Sequence, residues 1–422
     1  MNATPTRGER TDPSESLHDG YPCALPAHVD VSVIIPTWRR PALLAQCLRA
    51  VVTQDFEPAR YEIIVCDDGP DDATRETVAR FADDAAPRGL AVRYVPVTRT
   101  QGPAGARNAG WSTARAPLIA FTDDDTVPDP RWLTAGTRAL ADGAAAASGT
   151  IVVPLPAPPA APTDYETDAS GLACAEFATA NAFMTHASLA RTGGFDERFT
   201  AAWREDSDLQ FTLLRAGGVI VRANDAIVIH PVRPARWGVS LAQQKKSQFD
   251  ALLFKKHREL FRQRIRATPP LLYYAIVGAA LVALCAALAA RPAIALAAFV
   301  VWLALTACFC VQRLRATSRS ARHIAEMAWT SALIPFLSIF WRLYGAARFK
   351  VRHMMIANVG GEFNSVSGTV DFDQAKPEQS RIEASIDANS LHTGDPQRDG
   401  HIKGADFFDV ACDLDVMDAK HQ

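Results

Sequence analysis

Residues 117–125 read PLIAFTDDD, a short apolar run that ends in the three carboxylates of Asp123, Asp124 and Asp125. Three carboxylates at the end of a buried strand repel one another and are costly to desolvate, unless a cation or hydrogen-bond donors meet them. Mg²⁺ or Mn²⁺ would satisfy them and would keep coordination positions open for phosphate oxygens. An acidic turn after a strand is the alternative interpretation.

The chain around this stretch alternates between apolar runs and segments with helical spacing. Strands are predicted at 31–36, 61–66, 91–97 and 117–122, with helices at 42–52, 74–81 and 105–114. This alternation predicts an α/β fold with a doubly wound, mostly parallel sheet. Ligands of such sheets bind beyond the carboxyl ends of the strands. Three polar clusters fall there: Pro36-Thr37, Asp67-Asp68-Gly69 and the Asp123–Asp125 run.

Six segments, in order, resemble the motifs of the inverting family 2 glycosyltransferases, which have the GT-A fold. They are VSVIIPT at 31–37, EIIVCDDG at 62–69, GPAGARN at 102–108, FTDDD at 121–125, GGFDE at 193–197 and EDSDL at 205–209. Each motif alone is weak, but six in the family's order are specific. The resemblance implies a nucleotide-diphosphate sugar as donor and a sugar or lipid-linked acceptor.

The resemblance also implies roles for single residues. Asp123 and Asp125 would bind the metal, and a nucleotide-binding group would comprise Pro36, Thr37, Asp67, Asp68, Arg107 and Asp124. A metal acts on such a donor as a Lewis acid, because it neutralises the departing diphosphate. Two alternatives stay open: Asp68 as a turn residue before Gly69, and Arg107 as an exposed helix cation.

Asp206 matches the family's general base, which takes the proton of the acceptor hydroxyl, and Glu205 would support it or bind the acceptor. Acidic residues are also favoured near a helix N-terminus, so a capping role is the alternative for both. His230 ends the apolar run AIVIH at 226–230 and would complete the metal site, or be an ordinary strand-end histidine. Trp203 would contribute to the acceptor site or belong to the core.

Two apolar runs without charge, at 271–290 and 293–311, are long enough to cross a bilayer. Arginines and lysines flank the pair on both outer sides, so the positive-inside rule puts the catalytic domain in the cytoplasm, at the inner membrane. A third apolar stretch, 327–344, holds Pro335 and would either span the membrane or lie in the interface. The net charge of -2 gives no reason to expect nucleic acid as a partner.

The tail from about residue 349 resembles the YceI-like, lipocalin-like polyisoprenoid-binding family. The resembling stretches are 351–359, 366–372 and 395–409. They cover only about 70 residues, roughly half of what the closed barrel needs, so we expect a truncated β segment. The Pro- and Ala-rich stretch 154–170 reads as a flexible loop.

The predicted organisation has five parts: a disordered lead without signal peptide (1–28), a GT-A domain (29–240), a basic linker (241–268), membrane helices (269–346) and the YceI-like segment (347–422). The predicted function is a metal-assisted glycosyltransferase of hexosyltransferase type, acting in polysaccharide or glycolipid synthesis. Two alternatives are a nucleotidyltransferase of similar fold, which gives no reason for the Glu205-Asp206 motif, and a polyisoprenoid-binding protein, which only the tail suggests.

Overall fold

The computed structural model describes residues 28–157, 160–351, 362–363, 365–371, 381–387 and 390–392. They form two compact units, which divide between Pro234 and Ala235, and each unit is described by itself. The predicted lead-in lies outside the described residues except for its last position. The same holds for nearly all of 351–359 and for 395–409, two of the three stretches behind the YceI resemblance.

An eight-stranded sheet forms the centre of the first unit. Its strands are β1 (Val31–Thr37), β2 (Tyr61–Asp67), β3 (Ala91–Pro96), β4 (Leu118–Thr122), β5 (Val127–Pro128), β6 (Ala146–Val152), β7 (Asn181–Thr185) and β8 (Ile220–Ile229). Their order across the sheet is β3-β2-β1-β4-β7-β6-β8-β5. The β1–β2, β2–β3, β1–β4 and β6–β8 pairs are parallel, whereas β7 is antiparallel to both neighbours and β5 to β8. The predicted mostly parallel α/β sheet is confirmed.

Helices connect these strands: α1 (Pro41–Val51), α2 (Asp72–Ala85), α3 (Pro103–Ser112), α4 (Trp132–Arg138), α5 (Asp164–Ser170), α6 (His186–Thr192) and α7 (Glu205–Arg215). The prediction of a loop over 154–170 was wrong at its end. There, Thr163 and Glu166 form a reciprocal capping box that starts α5. The apolar clusters of the sheet's core include the fully buried Ile35, Phe121, Trp132 and Phe183.

A buried charge network fixes the start of the parallel sheet. Glu62 of β2 is fully buried, and its carboxylate accepts hydrogen bonds from Ser32 Oγ (2.7 Å) and Arg93 (3.0 Å). Arg115 adds a bond from Nη2 at 2.8 Å and one from its backbone N–H at 3.0 Å. These contacts hold the pKa of Glu62 below its usual range although burial opposes this. The network therefore joins β1, β2, β3 and the segment that leads into β4.

The second unit begins with short helices and continues with long ones: α8 (Val239–Gln243), α9 (Phe249–Lys256), α10 (Arg258–Arg264), α11 (Leu271–Leu288), α12 (Pro292–Leu314) and α13 (Ala321–Arg348). By length and composition, α11, α12 and α13 could each cross a membrane. The predicted hairpin corresponds to α11 and α12. α13 is longer than the predicted stretch 327–344 and continues through Pro335.

The described part of the tail contains β9 (Glu362–Phe363), β10 (Val366–Asp371), β11 (Arg381–Ile386) and β12 (Leu391–His392). β10 pairs with β11 and β9 with β12, both antiparallel, in two separate two-stranded sheets. The described part of the tail thus consists of β-strands, in agreement with the β segment expected there.

Candidate active site

The central carboxylate of the acidic run supports the end of β1. Asp124 is buried and accepts a hydrogen bond from Thr37 Oγ1 at 2.7 Å, and Arg40 Nη2 lies 3.2 Å from its other oxygen. Burial raises the pKa of Asp124 to about 6, although Arg40 and Thr37 oppose the rise. Thr37 and Asp124, both predicted to contact the donor, are thus bound to each other and fix the β1 and β4 ends together.

The outer two carboxylates meet a histidine from a distant strand. Asp123, Asp125 and His230 each offer one ligand atom, and these atoms lie within 4.8 Å of one another. His230 directly follows β8, and its backbone N–H donates to Val152 O at 2.8 Å. Two carboxylates and an imidazole fit a divalent ion that tolerates both oxygen and nitrogen, with Mn²⁺ suited best and Mg²⁺ possible. The three predicted metal ligands are therefore brought together.

Arginines surround this cluster, and two of them were not predicted from the sequence. Arg233 Nε lies 2.9 Å from Asp125 Oδ2, and Arg40 Nη1 lies 3.6 Å from the same oxygen. Arg40 lies three residues after β1 and directly before α1, and Arg233 stands three positions after His230. In this structure, guanidinium groups meet the negative charge of Asp124 and Asp125.

A third arginine connects the metal-ligand cluster to the candidate base motif. Arg107 of α3 is buried, so the alternative of an exposed helix cation was wrong. Its Nη2 donates to Asp123 at 2.8 Å, and its Nη1 donates to Glu205 Oε1 at 3.2 Å. Burial lowers the pKa of Arg107, but Asp123, Asp206 and Glu205 more than compensate and raise it. Arg107 therefore remains charged at the centre of the site.

Glu205 and Asp206 begin α7, immediately after Arg204 in the left-handed region at φ 76°. Asp206 Oδ1 accepts a hydrogen bond from Thr179 Oγ1 at 2.6 Å, and Oδ2 accepts one from the Thr179 N–H at 3.2 Å. Burial raises the pKa of both acids; Arg107 opposes the rise in each, and Thr179 also opposes it in Asp206. Thr179 is a further missed residue, and it holds one carboxylate in a fixed orientation.

Asp67 and Asp68 occupy the turn after β2 with different partners. Asp67 is fully buried and accepts hydrogen bonds from the N–H groups of Gly69 and Asp71 and from Tyr94 Oη. Asp68 is partly exposed, and both of its oxygens lie 2.8 Å from the Gly102 N–H. Burial raises the pKa of Asp68, an effect that Gly102 opposes and Asp67 reinforces. Asp67 thus shapes the turn, and Asp68 faces the loop before α3.

Two glycines make close contacts next to this turn. Trp38 is 55% exposed, and a Cβ on Gly69 would lie 2.8 Å from its indole, so only glycine admits this contact. Gly102 has φ 117°, and a Cβ there would approach the Thr200 backbone to 3.1 Å. Pro36, half-buried, lies at the same end of β1. An exposed indole, a carboxylate and half-buried backbone therefore lie at adjacent strand ends.

Comparison with known families agrees with this architecture. The family model "Glycosyl transferase family 2" matches residues 32–188, and "Glycosyl transferase family group 2" matches 118–311. The "YceI-like domain" model matches residues 342–412. The chain thus contains a glycosyltransferase family 2 domain followed by a YceI-like domain, and the resemblance to both families is confirmed.

Similar individual proteins cover parts of the chain. A validoxylamine A glucosyltransferase from Streptomyces hygroscopicus subsp. limoneus is 25% identical over 287 residues, which are 59% of this chain and 60% of that protein. A UPF0312 protein from Pseudomonas savastanoi pv. phaseolicola is 43% identical over 63 residues, 15% of this chain and 33% of its own length. The mannosyltransferase PcManGT from Pyrobaculum calidifontis, solved with GDP-Man and Mn²⁺, aligns at 19% identity and TM-score 0.48 over 76% of this chain and 88% of its own.

Proposed function

We propose that this protein is a membrane-anchored, inverting glycosyltransferase that moves a sugar from a nucleotide-diphosphate donor to a hydroxyl of a sugar or lipid-linked acceptor. One observation carries the proposal: Arg107 bonds both Asp123 of the metal-ligand cluster and Glu205 of the Glu205-Asp206 pair. Groups for the leaving diphosphate and for the acceptor hydroxyl thus belong to one connected site. The family 2 domain supports the same chemistry.

Asp123, Asp125 and His230 would hold Mn²⁺ or Mg²⁺ in this reaction. When bound, the ion supplies Lewis-acid stabilisation of the departing diphosphate. Arg40 and Arg233 stand beside the same carboxylates, and their guanidinium forks suit phosphate oxygens. The nucleoside part would lie over the β1 and β2 ends, where Pro36, Asp68 and Trp38 stand. Thr37, Asp67 and Asp124 would support these strand ends through their hydrogen bonds within the protein.

Asp206 would act as general base on the acceptor. The acceptor oxygen forms a bond to the anomeric carbon as the bond to the diphosphate oxygen breaks on the opposite face, and the hydroxyl proton passes to Asp206. Thr179 holds the carboxylate in place, and the raised pKa makes it a better proton acceptor than an ordinary aspartate. Trp203 is partly exposed two residues before Glu205, which suits it to stack on an acceptor sugar.

The apolar helices α11 and α12 support attachment to a membrane. Positive residues before α11 and after α12 favour the inner membrane with the catalytic domain in the cytoplasm. A membrane-anchored enzyme reaches acceptors that carry a lipid, which agrees with a role in polysaccharide or glycolipid synthesis.

The test is transfer by the purified full chain against a panel of nucleotide sugars, with Mn²⁺, with Mg²⁺ and with a chelator. We expect metal-dependent release of nucleoside diphosphate and a product of inverted anomeric configuration, read by NMR. Asp125→Asn should remove transfer, whereas Asp142→Asn, at an exposed position, should retain it. Transfer that persists in chelator, or release of pyrophosphate in place of the diphosphate, would overturn the proposal.

A further inference from the structure

The segment 238–256 contacts α13 from its second turn to its end. Near the helix start, Glu326 Oε1 accepts a hydrogen bond from the Gly238 N–H at 2.6 Å. Near its end, Arg342 forms an ion pair with Asp250 at 3.0 Å, and both side chains are largely buried. The contacts therefore extend over four turns of α13 at least.

The last turn of α13 continues this pairing. Arg348 donates to Gln248 Oε1 at 2.8 Å, and Lys255 Nζ donates to the carbonyl of Phe349 at 2.8 Å. A Cβ on Gly345 would lie 2.2 Å from Gln248 O, so the two backbones touch where only glycine fits. Segment 238–256 and α13 thus form one closely packed pair.

Segment 238–256 cannot lie in the hydrocarbon of a bilayer. Eight of its residues are glutamine or charged, at both ends of the short apolar stretch 251–254: Gln243, Gln244, Lys245, Lys246, Gln248, Asp250, Lys255 and Lys256. Such residues are costly at membrane depth, and short helices broken at several points would leave backbone groups unsatisfied there. A helix that packs against this segment from residue 326 to 349 therefore stays at the same depth as the segment.

The contacts of α13 with the hairpin of α11 and α12 also place α13 at the level where the chain leaves the membrane. Arg313, in the last turn of α12, donates to Thr330 Oγ1 at 2.8 Å and to Ser331 Oγ at 3.1 Å. Ile334 packs with Phe309 of that same end. The middle of a spanning helix would lie at the bilayer centre, but the middle of α13 meets the basic end of α12, where the chain leaves the membrane.

The side of α13 turned away from Arg342 and Gly345 carries large exposed apolar side chains. The exposed fractions of four side chains lie between 45% and 56%: Trp329, Phe340, Leu343 and Tyr344. At 100° per residue these four positions fall within about a third of a turn, a single stripe along the helix. Tryptophan and tyrosine beside aliphatic side chains are typical of a surface at the level of lipid headgroups.

We propose that α13 lies along the membrane interface with this aromatic stripe toward the lipid, and does not cross the bilayer. Among the helices that the structure describes, two then span the membrane, α11 and α12. The start of the YceI-like segment lies on the same side of the membrane as segment 238–256. The surface fits a phospholipid interface, because its apolar stripe is flanked by Arg322 at one end and Lys350 at the other.

Spin-label depth measurements on the full chain in phospholipid vesicles test this. Residues 329 and 340 are separated by about 16 Å along a helix axis. With the eight native cysteines replaced by alanine, nitroxides are placed at Trp329→Cys, at Phe340→Cys and, as a mid-span reference, at Phe299→Cys. We expect equal, shallow depths at 329 and 340 and a deep position at 299.

A depth difference near the full 16 Å between 329 and 340 would overturn the proposal, as would exclusion of both labels from lipid-borne oxygen, which would indicate a protein partner.

A second measurement keeps the native cysteines. Alkaline phosphatase, which is active only outside the cytoplasm, is fused after Gln422 or inserted after Ala290 at the hairpin turn. We expect activity at the hairpin turn and none at the C-terminus, whereas activity at both positions would mean three spans.

Discussion

Arg233 and Asp125 form an ion pair across the candidate metal site, with Nε 2.9 Å from Oδ2. A carboxylate that would bind a metal is therefore already paired with a cation supplied by the chain. A divalent ion must compete with this guanidinium. Once displaced, the guanidinium is close to where the donor's phosphates would lie.

Replacing Arg233 should therefore have opposite effects on metal and on nucleotide. Arg233→Gln should tighten Mn²⁺ binding without nucleotide by about two- to fivefold, since a half-exposed ion pair contributes up to about 1 kcal/mol. It should weaken nucleoside diphosphate binding in saturating Mn²⁺. Calorimetric titration measures both, with Arg236→Gln at an exposed position as control. Weaker binding of both ligands would show that Arg233 only maintains the local structure.

Removing the proposed base should affect turnover far more than donor binding. We expect Asp206→Asn to lower kcat by ~10²-fold or more, the size of a typical general-base contribution. Nucleoside diphosphate affinity should change little, because Asp206 accepts hydrogen bonds from Thr179 and is not one of the three metal ligands. Steady-state kinetics and calorimetry decide this. A variant that loses nucleotide affinity while keeping kcat would place Asp206 on the donor side.

The pH dependence of activity should respond to Thr179. The Thr179 hydroxyl stabilises the ionised form of Asp206, so its removal raises a pKa that burial already raises. Activity requires the ionised base and is lost as pH falls. Thr179→Val should therefore move the acid limb of kcat/KM to higher pH by about one unit, the equivalent of one hydrogen bond to a charged group. Thr179→Ser keeps the hydroxyl and should keep the limb; an unmoved limb in both variants would exclude Asp206 as the titrating group.

Glu62 should matter for stability and not for donor binding. Glu62→Gln leaves Arg93 and Arg115 without their buried counter-charge, so we expect a loss of about 3 kcal/mol in the free energy of unfolding at pH 7. The folded-state pKa of Glu62 is lowered, so this stability is present above the unfolded pKa and is lost as pH falls through the folded pKa. Urea unfolding at several pH values measures it, with the exposed Glu76→Gln as control. Equal stabilities of Glu62→Gln and parent at pH 7 would contradict it.

Much of the sheet was predictable because strand and helix periods differ and the four parallel strands β1 to β4 follow one another in the chain. The later strands were harder. β5 has only two residues, and β7 enters antiparallel between β4 and β6, so neither leaves a clear periodic pattern. The capping box at Thr163 and Glu166 was a readable helix signal inside a stretch interpreted as a loop.

For the site, motif order indicated the carboxylates, and the end of an apolar run indicated His230, since those residue types carry the chemistry themselves. Arg40, Arg233 and Thr179 were missed because their importance lies in partners distant in sequence. Thr179 meets Asp206 only after α7 folds back toward β7, and no local pattern encodes that contact. Asp67 shows the converse: its motif position suggested a ligand contact, whereas two hydrogen bonds from the turn and one from Tyr94 of β3 account for its buried carboxylate.

His230 follows β8, the last strand of the eight-stranded sheet in chain order, whereas Asp123 and Asp125 follow β4. An ion bound by all three would therefore act as a cross-link that closes a loop of roughly a hundred residues. The unfolded chain does not hold these three ligands together. Tighter metal binding would therefore also raise the free energy of unfolding. The ion would connect β4, in the middle of the sheet, to β8, its last long strand. The stability of the first unit would then depend on the concentration of the metal in the cell.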